Sequence, residues 1–87
     1  MFYKVKDVNT LEDFILMIEF KNGIMKTYDV KPLFEKCKVF QTFLHIDNLF
    51  STVKVDMGGY GITWNDNIDL SCNELWENGI LIDDSKA

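Results

Sequence analysis

Asp66 and Asp69 are the two residues whose type and spacing come closest to a catalytic pair in this sequence. Neighbouring carboxyl groups can perturb each other's pKa, and perturbed carboxylates are typical of sites that transfer protons. Such an acid pair would suit a small hydrolase or transferase. The alternative, which we favour, is a solvated turn with no chemical role.

Two other side chains have reactive chemistry, His45 and Cys72. His45 is the only histidine, and imidazole can act as a general base, but no nucleophile or orienting acid is identifiable beside it. Cys72 is predicted to lie just inside a helix, whose dipole can lower the thiol pKa. The structural alternatives, which we favour, are a surface histidine and a quiet, partly buried thiol.

The sequence also contains a pattern that resembles part of a metal site. Asn65, Asn67 and Asp69 alternate like the first ligands of a calcium loop. An EF-hand also needs Gly at its sixth position and Glu at its twelfth, where this chain has Leu70 and Trp76. We therefore predict no metal and no other cofactor. A turn in which Asn and Asp side chains cap local backbone groups accounts better for the pattern.

A glycine-rich stretch, V-D-M-G-G-Y-G-I-T-W-N-D at residues 55–66, resembles a loop that could hold an anion. A phosphate-binding loop requires a helix after it and usually a lysine at its end, whereas here a strand follows and the flanking residues are acidic. The stretch is instead predicted to form a tight hairpin or bulge, with Tyr60 and Trp64 packed over the bare backbone. Its three glycines are Gly58, Gly59 and Gly61.

Length and composition set the limits of the fold and of its partners. A chain of 87 residues buries too little surface to form two cores, so we predict one domain over residues 1–82 and an unanchored tail at 83–87. Seven Phe, three Tyr and two Trp supply a large aromatic core. A net charge of -5 repels phosphate backbones and makes nucleic acid an unlikely partner.

Location and redox state follow from what the sequence lacks. No apolar leader opens the chain and no run approaches the 18 or so apolar residues of a membrane span, so we expect a cytoplasmic protein that does not bind membranes. Cys37 and Cys72 stand far apart without a C-x-x-C motif, which indicates free thiols.

The spacing of apolar residues predicts the strands and helices that position these residues. Apolar alternation and β-branched runs predict strands at residues 3–8, 14–20, 24–30, 52–56 and 61–64. Asn22-Gly23 predicts a hairpin with a primed turn. Pro32 marks the start of a helix, an apolar stripe predicts a second helix over residues 39–44, and Ser71 with Glu74 forms a capping box for a last helix. The predicted fold is α+β: an antiparallel sheet of about five strands in the order βββ-α(α)-ββ-α, with helices packed on one face.

Four segments resemble a family of short bacterial proteins described as a domain of unknown function. They are V-N-T-L-E-D-F-I-L, F-K-N-G-I-M-K-T-Y-D-V-K-P-L-F, F-S-T-V-K-V-D and G-Y-G-I-T-W-N-D-N-I-D-L-S-C-N-E-L-W. The signature G-x-G-I-x-W followed by D-L and L-W is the most specific part. The resemblance implies a small α+β fold, and some members look like the smaller partner of a two-gene cassette similar to toxin and antitoxin pairs. It transfers no catalytic residues.

These observations predict a protein-binding module, an antitoxin-like or regulatory partner of another protein such as the product of a neighbouring gene. We expect its binding surface around Tyr60, Trp64, Asp66 and Asp69, with aromatic anchors among carboxylates. The alternative remains an enzyme that uses Asp66, Asp69 or His45. Exposed edge strands are also compatible with a homodimer.

Overall fold

The computed structural model describes residues 3–82 and has the α+β fold that the sequence predicts. The part of the chain that it describes contains seven strands, two short α-helices and three 3-10 turns. The strands are β1 (Val5–Thr10), β2 (Ile15–Phe20), β3 (Met25–Asp29), β4 (Lys54–Val55), β5 (Gly61–Asn65), β6 (Ile68–Ser71) and β7 (Ile80–Leu81). The helices are α1 (Leu33–Lys36) and α2 (Cys72–Asn78), and the 3-10 turns cover Lys38–Leu44, Phe50–Thr52 and Met57–Gly59. The predicted tail at 83–87 lies outside the described residues.

The strands form two antiparallel sheets, whereas the sequence predicted one sheet of about five strands. The first sheet has the order β1-β2-β3-β7 and the second the order β4-β5-β6. Two strands were not predicted, namely β6 and β7, which are four and two residues long. Strands this short show too few alternations for a period of two to be recognised. β7 forms because Ile80 and Leu81 pair with Thr27 and Lys26 of β3.

The β2–β3 hairpin forms at Asn22-Gly23 as predicted, but its turn has three residues and is not a primed two-residue turn. Phe20 N–H donates to the Ile24 carbonyl at 2.9 Å, and Gly23 N–H donates to the Phe20 carbonyl at 2.9 Å. Only Gly23 has a positive φ, of 89°, because Asn22 instead uses its side-chain oxygen to accept from Ile24 N–H. This is the type I turn plus left-handed residue that closes three-residue hairpin loops.

The glycine-rich stretch forms the predicted hairpin connection, between β4 and β5. Gly58 and Gly59 have φ values of 88° and 80°, a region that glycine enters without steric cost. Asp56 closes the connection: its N–H donates to the Gly61 carbonyl at 3.0 Å, and its carboxylate accepts from Gly61 N–H at 3.2 Å. The chain can therefore reverse within a few residues and place β5 beside β4.

The segment at residues 39–44 forms a turn where the sequence predicted a helix, but the turn is 3-10 and not α-helical. An α-helical stripe would bury residues 39, 40, 43 and 44 together. The 3-10 turn has three residues in each turn, so residues i and i+3 share one face. Phe40 and Phe43 are accordingly buried, while Val39 and Leu44 are 37% and 55% exposed.

One hydrophobic core lies between the two sheets and the 3-10 segments. Its buried members are Val5, Val8, Leu16, Ile18, Phe20, Tyr28, Val30, Phe40, Phe43, Ile62, Trp64, Ile68, Leu70, Cys72 and Leu75. Both sheets contribute to it, so each sheet presents one face to the core and the other to solvent. In the described part of the chain, no helix is both long enough and apolar enough to cross a membrane.

Candidate functional site

A groove of about 670 Å³ lies between α1, β6 and α2, and we call it the β6 groove. Its apolar lining comes from Pro32, Leu33, Phe40, Leu70 and Ile80. Its polar lining comes from Tyr28, Asp29, Lys36, Cys37, Asp69, Ser71, Glu74 and Asn78. The groove therefore combines apolar contact area with a small set of oriented polar groups, the composition typical of binding sites.

The charge of the β6 groove is predominantly negative, with three carboxylates and one lysine, Lys36. Asp29 is partly neutralised by Lys31, whose ammonium lies 3.0 Å from its Oδ1. Desolvation acts to raise the pKa of Asp29, but hydrogen bonds from Lys31 outweigh it and hold that pKa below its usual value. Within residues 3–82, neither Asp69 nor Glu74 forms an ion pair with a lysine. These two carboxylates give the groove its unbalanced negative charge.

Glu74 is held in place by three hydrogen bonds. The Tyr28 hydroxyl donates to Glu74 Oε2 at 2.7 Å, and the Asn78 side-chain amide donates to the same oxygen at 3.0 Å. Glu74 N–H donates to Ser71 Oγ at 3.1 Å, which confirms Ser71 as the N-cap of α2. The carboxylate is therefore oriented toward the groove before any ligand arrives.

Tyr28 is 4% exposed, and its hydroxyl is the buried end of this network. Burial raises the pKa of the Tyr28 phenol, and the hydrogen bond to Glu74 raises it further, because the ionised phenolate would lose both solvation and its acceptor. The folded protein thus holds the Tyr28 proton at a pH where an unfolded tyrosine, with a pKa of about 10, releases it.

Tyr28→Phe should lower the free energy of unfolding by about 1 kcal/mol near neutral pH, the cost of one lost hydrogen bond. Above a pH of about 10 the wild type should lose stability, since unfolded Tyr28 ionises while folded Tyr28 stays protonated. The Phe variant lacks this group, so the stability difference between the two proteins should shrink as the pH rises. Urea unfolding from about pH 7 to about pH 11 measures it, and a difference that stays constant would contradict the assignment.

The four residues predicted as a binding surface do not form one patch. Asp69 is exposed on β6 and lines the groove. Asp66 is exposed in the turn between β5 and β6 and does not line it. Tyr60 is 49% exposed at the start of β5, where the Lys4 ammonium lies 4.8 Å from its ring centroid. Tyr60 and Asp66 are six positions apart along extended chain, which corresponds to roughly 20 Å.

Trp64 belongs to the core, with 6% of its surface exposed. Its indole N–H donates to the Phe50 carbonyl at 2.8 Å. Its ring centroid lies 4.9 Å from that of Phe43, 6.0 Å from that of Phe50 and 6.2 Å from that of Phe40. A partner could not reach this ring without opening the core, so we leave Trp64 out of the contact surface proposed below.

The residues considered for catalysis do not line one cleft. Asp66 lies outside the groove that Asp69 lines, so the two carboxylates do not share a cleft. His45 is exposed at the end of the 3-10 turn Lys38–Leu44. Both cysteines are free thiols, as predicted, but Cys72 is 2% exposed and Cys37 is the accessible one. Among residues 3–82 no three His, Cys, Asp or Glu side chains converge to hold a metal ion.

Sequence reasoning missed the groove residues Tyr28 and Cys37 and recognised Glu74 only as a capping residue. Tyr28 and Glu74 are 46 positions apart, and no local pattern joins a strand residue to a helix residue at that distance. The one usable signal was the position of Glu74 in the first turn of α2, which fixes where its backbone lies.

Comparison with known proteins yields one finding. A family model described as "Protein of unknown function (DUF2442)" matches residues 5–80, which is 76 of the 87 residues. Neither the curated proteins nor the solved structures contain a match.

Proposed function

We propose a function for this chain, which belongs to the DUF2442 family of proteins of unknown function, from the chemistry of the β6 groove. The chain is a protein-binding module that acts as an antitoxin-like or regulatory partner of another protein. The observation that carries this proposal is a concave surface with an apolar floor, bordered by two carboxylates that are not paired with lysines in the described part of the chain.

The apolar and acidic parts of the groove have different roles in recognition. Burying the accessible apolar side chains of Pro32, Leu33 and Ile80 against a partner supplies most of the free energy of binding. Asp69 and Glu74 supply selectivity, because they favour a partner with positive charge and repel an acidic one. The net charge of -5 acts in the same direction, since it steers basic proteins toward this chain over longer distances.

The partner to test first is the product of a neighbouring gene. This choice follows from the two-gene arrangement that the family resemblance implies, in which a small protein is paired with another short one. A regulatory partner of this kind needs a specific contact surface and no chemistry of its own, which fits a groove with an exposed carboxylate, Asp69, and a half-buried one, Glu74.

Replacing Asp69 with lysine should weaken capture of this partner by tenfold or more, because it places a like charge where a basic surface docks. The test is co-expression of the tagged chain with the neighbouring gene, followed by affinity purification and titration of the purified pair. Asp66→Lys is the matched control: it makes the same charge change at an exposed aspartate of the same hairpin, but outside the groove.

We expect Asp66→Lys to bind within about twofold of the wild type, since only the long-range attraction changes. Equal losses in both variants would show that binding depends on net charge and not on the groove. Unchanged binding in both would contradict the proposed contact surface. Thermal unfolding of both variants must first show that they fold like the wild type.

A further inference from the structure

The outer edge of β6 carries main-chain groups that no other strand uses. β6 pairs with β5 along one side, and within residues 3–82 no strand lies along its other side. An edge strand exposes a row of N–H and C=O groups that can pair with another chain. Asp69 and Ser71 of β6 are exposed to solvent.

The hydrogen-bond pattern shows which groups point outward. Cys72 N–H donates to the Tyr60 carbonyl of the β5 side at 2.7 Å. Because these groups alternate along an antiparallel strand, Leu70 also faces β5, and Asp69 and Ser71 direct theirs away from it. The Ser71 carbonyl lies at the N-cap of α2, where it begins the helix. The outward groups are therefore the N–H and C=O of Asp69 and the N–H of Ser71.

This edge runs along the β6 groove. Three consecutive residues, Asp69, Leu70 and Ser71, line the groove together. Side chains alternate between the two faces of a strand, so a groove on one face would meet every second residue only. Contact with all three residues points to a groove that follows the edge of the strand.

We propose, as an inference that rests on the proposed function, that the partner binds through an extended basic segment. This segment adds a strand to β6. Main-chain groups of the segment pair with Asp69 and Ser71, the mode of recognition known as strand addition. One set of its side chains then lies beside Asp69 and the other beside Leu70. The segment should accordingly alternate lysine or arginine with apolar residues. A second copy of this chain is disfavoured at this edge, because two β6 strands would bring one Asp69 close to the other.

The probe is a blocked five-residue peptide that alternates valine and lysine. We expect it to shift the amide resonances of Asp69 and Ser71 and to slow alkylation of Cys37, the accessible cysteine in the groove. A twin peptide with one backbone N-methyl group keeps the charge and side chains but loses a main-chain donor. It should bind roughly tenfold more weakly. Equal binding of the two peptides would overturn strand addition.

Two variants at Ser71 provide the matching test on the protein. Ser71→Ala removes the capping hydroxyl and keeps the outward N–H, while Ser71→Pro removes both. Proline fits the backbone there, because the φ of Ser71 is -75°. We expect the Pro variant to bind the lysine peptide at least tenfold more weakly than the Ala variant, because both lack the capping hydroxyl and only the Pro variant lacks the N–H. Equal affinities would overturn the proposal.

These outcomes are distinguishable from a failure of the proposed function. Partner capture that is weakened by Asp69→Lys and unchanged by Ser71→Pro would leave the protein-binding function in place and overturn strand addition alone. Self-association of the chain without peptide, abolished by Ser71→Pro in sedimentation measurements, would assign the edge to a second copy and also overturn the proposal.

Discussion

Replacing Trp64 with alanine is expected to lower the free energy of unfolding by about 3 to 5 kcal/mol, the usual cost of truncating a buried aromatic side chain. The ring is packed against Phe40, Phe43 and Phe50, so its removal leaves a cavity lined by side chains that cannot all move inward. The Phe50 carbonyl also loses its donor. Because small domains have only about 5 to 15 kcal/mol of stability, this loss is a large fraction of the total. Urea unfolding followed by circular dichroism measures the change.

Two companion variants separate packing from hydrogen bonding. Trp64→Phe keeps much of the ring contact and loses the indole donor, so its cost should lie between those of the wild type and the Ala variant. Tyr60→Ala removes an aromatic ring four residues earlier that is half exposed, and we expect a loss of about 1 kcal/mol or less. A Trp64→Ala protein with the wild-type urea midpoint would contradict the core position of Trp64.

The core position of Trp64 determines which variants can be used to test partner binding. A binding experiment that compares wild type with Trp64→Ala would report loss of the fold, since the aromatic cluster holds the 3-10 segments against β5. Exposed groove residues such as Asp69 are the appropriate positions, because their substitution leaves the core intact. The difference between the two residues lies in the alternation of β5 and β6, in which one face is buried and the other exposed.

Local sequence signals were sufficient for the strands and turns that neighbours in the chain create. The β1–β2–β3 meander follows from an alternating run at residues 3–8, an apolar run at residues 14–20 and an Asn-Gly turn before the return strand, since each strand pairs with the next. Ser71 could be recognised as an N-cap because capping involves residues three positions apart. These features depend on short-range interactions, which a sequence displays directly.

The candidate site could not be predicted in the same way because it is assembled from distant parts of the chain. Asp69 was identified, but its neighbours in the groove come from β3, α1 and α2, and only packing brings these elements together. Trp64 was included in the predicted binding surface as an aromatic anchor, but the structure buries it, and the side to which a strand residue points depends on register. The division into two sheets likewise depends on where the glycine connection packs against β1.

The contact of Gly59 with β1 should make Gly59→Ala strongly destabilising. We expect this variant to lower the free energy of unfolding by about 2 to 4 kcal/mol, against about 1 kcal/mol for Gly23→Ala. The two glycines share a strained backbone, with φ values of 80° and 89°, so the conformational penalty of alanine is the same at both. An added Cβ at Gly23 meets nothing within 4 Å, whereas at Gly59 it would lie 2.7 Å from the Val5 carbonyl oxygen of β1. Backbone cannot move aside as a side chain can, so the second sheet must shift away from the first.

The difference between the two variants therefore isolates the contact between the sheets at Gly59. Parallel urea titrations give both free energies, and amide chemical shifts near Val5 should change in the Gly59 variant alone. If both alanine variants lose the same stability, backbone strain is the whole cost, and the close approach of the glycine connection to β1 does not hold the two sheets together. A larger loss at Gly59 means that the absence of a side chain there is what allows one core to be shared by both sheets.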